Sequence, residues 1–477
     1  MTLPRPLSFV TVSALALSAC QTVGPDYVPP DLTAPARFDA ATSLVSLDEI
    51  DSRWWRTFGD PMLNTLVERA LAANLDVVEA EARIDEARAL RRQAQGGEGP
   101  QLAAEAAGST QRLSENGAQL ANLPPGVRPR LEFEQYQAGF DARWELDLFG
   151  RTRREVAAAS ARVEAAEEAR NAVRLSVAAE VARTYAEHRA AQTRIAVAER
   201  TAASSARTVE LVRLRRGAGE ASNVDLRRAL ADHREDGTVV PRLQAQSAAA
   251  LYAIDRLVGA EPGSTRRTLA QAPSAELNPP AVIPAGLPSE LARRRPDIRQ
   301  AERELAAATA DIGVATADLY PRFSLTGTLG LDSIRPGDFL QAASRFWRIG
   351  PSISAPLLDQ GRRRAEVDRR RAARETALAA YKGAVVEALS EVETALVRYE
   401  RERARTAALI AARAELQDAA ALIRLRYRSG EAPLTEVLDA ERQTARLDDA
   451  VAESKAQAIV DWIALHKSLG GGWAACA

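Results

Sequence analysis

Two short stretches decide how this chain folds: RLRRGAGEASNVDLRRALAD at 213–232 and RLRYRSGEAPLTEVLDAE at 424–441. Each carries a Gly-Glu pair, at Gly219 and at Gly430, inside a longer run of Ala, Glu and Arg that is otherwise typical of uninterrupted helix. Glycine gives the backbone the freedom that a tight reversal needs. Because the break occurs twice in the same sequence context, it predicts two equivalent helical hairpins.

The chain on either side of the two breaks is also repeated. The offset of 211 residues that relates the breaks pairs Gly150 with Gly361 and Gly259 with Gly470, without a gap. Upstream the offset becomes 221, so the first copy carries ten extra residues between Pro100 and Gly150. A register kept over such a length indicates internal duplication.

Each copy has the same predicted order of helix, strands, long helix, break and helix. The expected organisation is a lipoprotein signal peptide at 1–19, a lipidated extended segment at 20–61, a first repeat at 62–259, a collar segment at 260–286, a second repeat at 287–470 and a tail at 471–477. Within the repeats we expect strands at 101–112, 135–149, 322–331 and 346–357 and helices at 151–216, 223–258, 362–428 and 433–469, with another helix opening each repeat. At about 1.5 Å per residue, each long helix forms a rod of roughly 100 Å.

The predicted strands alternate between apolar and polar residues. In QYQAGFDARWELDLFG (135–150), aromatic and aliphatic residues alternate with Asp141, Arg143, Glu145 and Asp147. A soluble half-buried sheet would show the same pattern, but charge on one face and nothing to cover the other favours a membrane barrel with a water-filled lumen. Four strands cannot close a barrel, so three chains contributing twelve strands form the simplest closed assembly.

The N-terminus, MTLPRPLSFVTVSALALSAC, has one basic residue and a short apolar run that ends at Cys20. This layout is typical of a secretory signal peptide and is similar to a lipobox, in which the Cys becomes the lipidated N-terminus. A chance Cys beside an ordinary cleavage site is the alternative. Gln21, where an Asp would favour the inner membrane, favours the outer membrane. The other cysteine, Cys476, lies in the tail, and we expect no intrachain disulfide.

Composition excludes several classes of function. The 63 basic and 64 acidic residues balance to a net charge of −1, which does not suit a nucleic-acid-binding surface. No later apolar run is long enough for a transmembrane helix, so any membrane crossing would need a closed β-barrel. The three histidines, His188, His233 and His466, do not have metal-ligand spacing, and no phosphate loop or catalytic triad is present. We therefore expect neither an enzyme nor a cofactor or metal.

Several motifs occur in the order of a known family. They are VGPDY at 23–27, WW at 54–55, FGDP at 58–61, LAAN at 71–74, WELDLFG at 144–150, RPDI at 295–298, YRSG at 427–430 and VLDA at 437–440. By these motifs the chain resembles the outer-membrane factor family of tripartite efflux and secretion systems, the TolC-like trimeric channels, and within it the lipidated NodT-type branch.

The resemblance implies a fold, a location and partners. The fold would be mainly α with a membrane β-barrel: a homotrimer with a twelve-stranded β-barrel in the outer membrane, continuous with a twelve-helix periplasmic α-barrel. A periplasmic adaptor and an inner-membrane pump would dock at the far end, and the pump would expel drugs or other small molecules through the duct. The alternatives are a protein-secretion duct and a lipid-anchored periplasmic structural protein without a pore.

The resemblance also implies roles for the hairpin tips. The residues expected to meet the adaptor are Gly217, Gly219, Glu220, Ser222, Gly430, Glu431 and Pro433. The residues expected to form the channel gate are Asp225, Tyr427, Arg428, Glu436 and Asp439, with Arg426 or Arg428 as a basic partner. Where some members place an Arg after the turn, this chain has Ala432 and Pro433, so its gate differs in detail. Ordinary turn residues and solvated helix charges are the alternative reading of both sets.

Overall fold

The computed structural model of the chain describes residues 22–31, 35–40, 45–46, 48, 51–116, 130–269, 277–280 and 282–472. The predicted signal peptide, Cys20 and Cys476 lie outside these ranges. The elements of the first repeat are α1 (Pro61–Ala73), α2 (Leu75–Gln95), β1 (Gln101–Arg112), β2 (Glu132–Leu146), α3 (Arg151–Gly217), α4 (Asn223–Asp236) and α5 (Val239–Leu257). Those that follow are α6 (Ser264–Leu269), α7 (Pro296–Ala317), β3 (Arg322–Ser333), β4 (Arg345–Ser354), α8 (Arg362–Arg428) and α9 (Leu434–Ser468).

The four main strands form one antiparallel sheet in the order β1-β2-β3-β4. Residues paired across antiparallel strands share a face. The register pairs Phe140 with Leu329 and Leu329 with Trp347, and it pairs Asp141 with Thr328 and Thr328 with Arg348. The alternation read from each strand separately is therefore in phase across the sheet: one face is apolar and the other is polar.

Two glycines allow β2 and β3 to approach closely. Gly139 pairs with Gly330, and a Cβ added at Gly330 would lie 2.6 Å from the Ala138 carbonyl oxygen. A Cβ at Gly139 would lie 2.7 Å from the Leu329 oxygen. Only glycine fits at these two paired positions.

The chain forms two compact units, and each draws on both repeats. One consists of Met1–Pro30, Ile84–Ala165 and Ala301–Ala380 and contains the sheet and the beginnings of α3 and α8. In this unit Arg154 holds the segment that follows the predicted lipidation site: its Nε and Nη2 donate to the Val23 and Gly24 carbonyls, and Nη2 also donates to Asp26 at 2.8 Å.

The other unit consists of Asp31–Arg83, Ala166–Gln300 and Tyr381–Ala477. Part of its core is a group of aromatic rings, mainly in edge-to-face contact, that joins a short 3₁₀ turn, Trp54–Phe58, to the end of α9. The ring of Trp54 lies 5.6 Å from that of Trp462, and the Trp54 Nε1 donates to the Gly471 carbonyl at 3.1 Å. These contacts hold the turn that precedes α1 against the end of α9 within this unit.

Three helices predicted to be continuous are interrupted. The predicted helix 223–258 breaks between Asp236 and Val239, because Pro241 has no N–H to donate to the carbonyl of Gly237. The helix predicted to open the second repeat breaks at Arg295, whose ψ of 120° is the extended conformation favoured before a proline.

The helix that opens the first repeat is also divided, at Asn74. The Asn74 side-chain oxygen accepts from the backbone N–H groups of Asp76 and Val77, and its Nδ2 donates to the Leu257 carbonyl at 2.9 Å. Asn74 therefore caps a new helix, as short polar side chains commonly do.

Some predicted ends are also corrected. The strand predicted at 135–149 spans Glu132–Leu146, because the Asp147 carboxylate instead accepts from the first N–H groups of α3, those of Thr152 and Arg153. The strand predicted to reach 357 ends at Ser354. Pro433 is the residue before α9 rather than part of its first turn. Among the residues that the model describes, none of the helices is long and apolar enough to cross a membrane.

Candidate functional site

The two helical hairpin tips lie in the same compact unit and have the same backbone turn. The Glu220 N–H donates to the Arg215 carbonyl and the Glu431 N–H donates to the Arg426 carbonyl, both at 2.8 Å. Gly219 and Gly430 have φ angles of 82° and 81°, a left-handed conformation that favours glycine. The repeated Gly-Glu pairs are thus the C-terminal ends of the two long helices, α3 and α8.

The two tips differ where the returning helix begins. At the first tip, Ser222 and Asp225 form a capping box: the Asp225 N–H donates to the Ser222 Oγ at 3.1 Å, and the Ser222 N–H donates to the Asp225 carboxylate at 3.0 Å. The Ser222 hydroxyl, which donates to the Asp225 carboxylate at 2.8 Å, and the Ser222 N–H together hold the pKa of Asp225 below its usual range. At the second tip, Pro433 occupies the corresponding position and provides no side-chain cap. The first returning helix is therefore the more firmly capped.

Beneath the tips, the four helices share a small apolar core. Tyr427 lies in this core and is only 5 % exposed, so its ring faces the protein interior. We call the whole set the tip cluster; its buried members are Val209, Val212, Leu226, Ala229, Tyr427, Ala432, Leu434, Val437 and Leu438. Because both hairpins contribute to it, the cluster ties one tip to the other.

Arg215 also links the two tips, and the sequence analysis did not identify it. Its Nη1 donates to the Tyr427 carbonyl at 2.6 Å, its guanidinium carbon lies 4.6 Å from the centre of the Tyr427 ring, and its Nε lies 3.3 Å from the Glu220 carboxylate. The repeat supplies a signal, because Arg215 is the counterpart of Arg426, one of the two arginines expected as the basic partner of the gate.

Within the described residues of a single chain, the acidic gate residues form no ion pair with Arg426 or Arg428. Within the described residues, Asp439 pairs with Arg442 at 2.9 Å. Arg426 donates to the carbonyl of Glu431 at 3.4 Å. Arg428 and Glu436 are exposed, so the structure does not bring all the predicted gate residues together. An arginine one turn along the same helix is the nearest partner for Asp439 because i,i+3 positions share a helix face.

A second set of charges lies below the tip cluster and lines a cavity of about 300 Å³. Glu441 accepts from Thr208 at 3.0 Å and from Arg424 at 3.1 Å. Arg442 lies 3.9 Å from Asp232, yet burial raises the pKa of the Asp232 carboxyl. In this layer Glu441 couples α9 to α3 and α8 through hydrogen bonds, and the Arg442–Asp232 ion pair couples α9 to α4.

All seven residues expected to contact an adaptor are exposed at the tips. Among the described residues there is no cluster of His, Cys, Asp or Glu that could hold a metal ion. The tips are therefore an exposed surface above a layer of buried and half-buried contacts.

Comparison with known proteins places these features in a family. A family model described as "Outer membrane efflux protein" matches residues 66–260 and 287–471, which are the two repeats. The outer membrane protein OprJ of Pseudomonas aeruginosa is 33% identical over 462 residues, covering 96% of this chain and 94% of OprJ. Nodulation protein T of Rhizobium leguminosarum bv. viciae is 31% identical over 476 residues, covering 97% and 93% of the two chains.

A solved structure agrees with the fold as well. The outer-membrane channel OprN superposes with a TM-score of 0.84 at 36% identity, covering 94% of this chain and 99% of that one. The fold is that of the TolC-like channels. The chain therefore belongs to the outer membrane efflux protein family, as its motifs predicted, and is a protein of the outer membrane.

Proposed function

We propose that three copies of this chain form an exit duct across the outer membrane, through which an inner-membrane pump and a periplasmic adaptor expel drugs or other small molecules. The duct would combine a twelve-stranded β-barrel with a twelve-helix α-barrel. The mature chain would also be anchored by lipid at Cys20. It would carry out no catalytic step, since the family and the fold are those of channels.

The one-sided sheet is the observation that carries this proposal. Trp347 and Ile349 are 73% and 69% exposed on its apolar face. Leaving such area in water costs about 25 cal/mol per Å², whereas hydrocarbon accommodates it. The other face carries Asp141, Arg143 and Glu145, which suit a water-filled lumen. Four strands are too few to close a β-barrel, and two more copies of the chain would supply the other strands.

We assign the tips to adaptor contact and closure of the duct. The turns are exposed, and so are the apolar side chains of Leu214 and Leu425 next to them. Both features support a role in contacting a partner. Asp225, Glu436 and Asp439 would face the narrowed lumen. Tyr427 would contribute to the gate by packing in the tip cluster beneath it. Arg428, which is exposed, could pair with a neighbouring copy of the chain.

The experiment is single-channel conductance of the full, lipidated chain in a planar bilayer, beside Asp225→Ala/Asp439→Ala. We expect small current steps that become larger in the variant, because two acidic contacts of the closed gate are lost. Ser222→Ala is the matched control. It removes the hydroxyl that caps α4 and bonds to Asp225 but leaves both carboxylates, so the current steps should stay small. Native mass spectrometry of the same sample should give a trimer.

The outcomes separate the duct from its gate. Equal steps in wild type and double variant would reject the gate residues and leave the duct intact. Folded protein that gives no current in either form would reject the duct and favour a lipid-anchored structural protein of the periplasm.

A further inference from the structure

The sheet of each copy has two open edges, β1 and β4. Within the part of the chain that the structure describes, the strand order β1-β2-β3-β4 pairs each of these strands on one side only. The open side presents backbone N–H and C=O groups, and a closed barrel pairs them with the next copy. Successive strands are antiparallel, so β4 of one copy and β1 of its neighbour also run in opposite directions.

The lengths of the two edge strands leave few registers for this pairing. β1 has 12 residues, Gln101–Arg112, and β4 has 10, Arg345–Ser354. All of β4 is paired only if Ser354 lies opposite one of the first three residues of β1. Any other register leaves part of β4 unpaired, and an unpaired backbone group is costly in hydrocarbon.

The two faces of the sheet exclude one of the three registers. Leu102 lies on the apolar face, whereas Ser354, an odd number of residues from Trp347, lies on the polar face. Pairing Leu102 with Ser354 would join the apolar face of one copy to the polar face of the next. This leaves Gln101 or Ala103 as the partner of Ser354.

The stagger of the strands within one copy decides between these two residues. Successive pairs lead across the sheet from the middle of β1 to the first residue of β4: Ala106–Ala138, Ala138–Leu331 and Leu331–Arg345. The strands therefore slide by roughly five residues over three steps, and in a closed barrel the fourth step continues the slide. With Gln101 opposite Ser354, the slide per copy would be only about four residues, so the last step would reverse it. With Ala103, it is about six.

The tilt of the strands is compatible with this register. Strands lie about 4.8 Å apart and their residues about 3.3 Å apart, so a slide of about six residues per copy tilts twelve strands by about 45°. That value is at the upper end of the range for membrane barrels, about 35–45°.

We propose that β4 of one copy pairs with β1 of the next in the register that sets Ser352 opposite Glu105 of the neighbouring copy. The Ser352 hydroxyl can then donate to the Glu105 carboxylate on the polar face. The same register gives the other pairs of this seam, which include Ser354–Ala103, Ile349–Gly108, Arg348–Ser109 and Trp347–Thr110. The inference rests on the proposed function, because it requires three copies to close one barrel.

One pair of like charges lies at the far end of the seam. The register sets Arg345 opposite Arg112 of the neighbouring copy, and like charges directly opposite each other are destabilising. Arg112 already pairs with Glu132 at 3.2 Å and lies 3.8 Å from Glu115. Its charge is therefore offset within its own copy.

Disulfide cross-linking of the full chain tests the register. Ser352→Cys/Glu105→Cys in a Cys476→Ser background is oxidised, heat-denatured and separated on a non-reducing gel. Within one copy, β2 and β3 keep β1 and β4 about 14 Å apart, so a disulfide forms only between copies. Most of the chain should move to dimer and trimer bands.

Ser352→Cys/Ala103→Cys is the matched control. Ala103 is the next residue on the same face of β1, about 7 Å from Glu105, so this variant should stay monomeric on the gel. Native mass spectrometry under reducing conditions should give a trimer for both variants, which shows that they fold and assemble. Arg348→Cys/Ser109→Cys is a second pair in the same register, for use if the Glu105 substitution prevents assembly.

Each other outcome has a defined meaning. Cross-linking at Ala103 alone, or equally at Ala103 and Glu105, would overturn the register. Trimers without a disulfide at any of these positions would overturn the seam between β4 and β1 but leave the duct intact. Folded wild-type protein that is monomeric in native mass spectrometry would instead reject the barrel of three copies and with it the proposed function.

Discussion

Arg215 shows how much one side chain contributes at the tips. It is 18% exposed and donates to the Tyr427 carbonyl, near the end of α8, where helix carbonyls lack intrahelical partners. Its guanidinium also lies over the Tyr427 ring. Propensity and hydrophobic period describe one helix at a time, so they could not reveal a bond between two hairpins.

We expect Arg215→Gln to destabilise the packing of one tip on the other by about 2 kcal/mol, the sum of one charge-assisted hydrogen bond and a cation–π contact. Hydrogen exchange of the tip amides should then accelerate by roughly thirtyfold. Arg216→Gln is the control, because Arg216 is exposed and its one hydrogen bond within the described part of the chain is a 3.3 Å contact to Asn223. Equal exchange in the two variants would contradict the role given to Arg215.

At the scale of elements, the sequence predicts which residues of each strand share a face of the sheet. It does not predict the closest contact between two strands. Alternation along each strand placed Phe140 and Trp347 on an apolar face, and the register puts them on the same face of one sheet. The pairing of Gly139 with Gly330 depends on which residues the register sets opposite each other. Strand sequences alone leave that register open.

Gly330→Ala should therefore be costly. Its Cβ would lie 2.6 Å from the Ala138 oxygen and 3.0 Å from the Phe346 ring, so the strands must move apart, at a cost of about 1–3 kcal/mol. Gly327→Ala in the same strand is the control, because the nearest atom to its Cβ would be 3.7 Å away. Thermal unfolding should show a lower Tm for Gly330→Ala alone. A similar Tm in both variants would show that β2 and β3 are not tightly packed at Gly139 and Gly330.

The helix breaks belong to the same scale. Pro241 and Pro296 were visible in the sequence, and each interrupts a helix for a local reason. The break at Asn74 depends on its side chain reaching the Leu257 carbonyl as well as capping its own helix. Local chemistry therefore predicts the first two breaks, and tertiary contact stabilises the third.

At the scale of the whole chain, His466 makes the contact between the Trp54–Phe58 turn and the end of α9 sensitive to acid. Its ring is 1% exposed and stacks on Trp462 with centres 3.6 Å apart, and its Nδ1 donates to the Trp462 carbonyl. Burial lowers the pKa of His466 to about 4. The unfolded chain, with a histidine pKa of about 6.5, then binds a proton more readily than the folded chain.

Stability from this group is present above the unfolded pKa and is lost as the pH falls from about 6.5 to about 4, by about 3 kcal/mol. Urea unfolding of the full chain at a series of pH values should show this decline. His466→Phe keeps an aromatic ring but cannot be protonated, so it should remove that part of the slope. An unchanged slope would assign the acid sensitivity to other groups.

The sequence by itself determined the duplication, the two long helices, the hairpin tips and the alternating strands, because each follows from local propensity or from a period of the chain. Its motifs also identified the family. Only the tertiary structure decided that Arg215 rather than Arg426 or Arg428 binds across the tips, that Tyr427 faces inward, and that two glycines meet in the sheet. The physical reason is that these contacts join residues far apart in the chain, and a contact of that kind depends on how the elements pack.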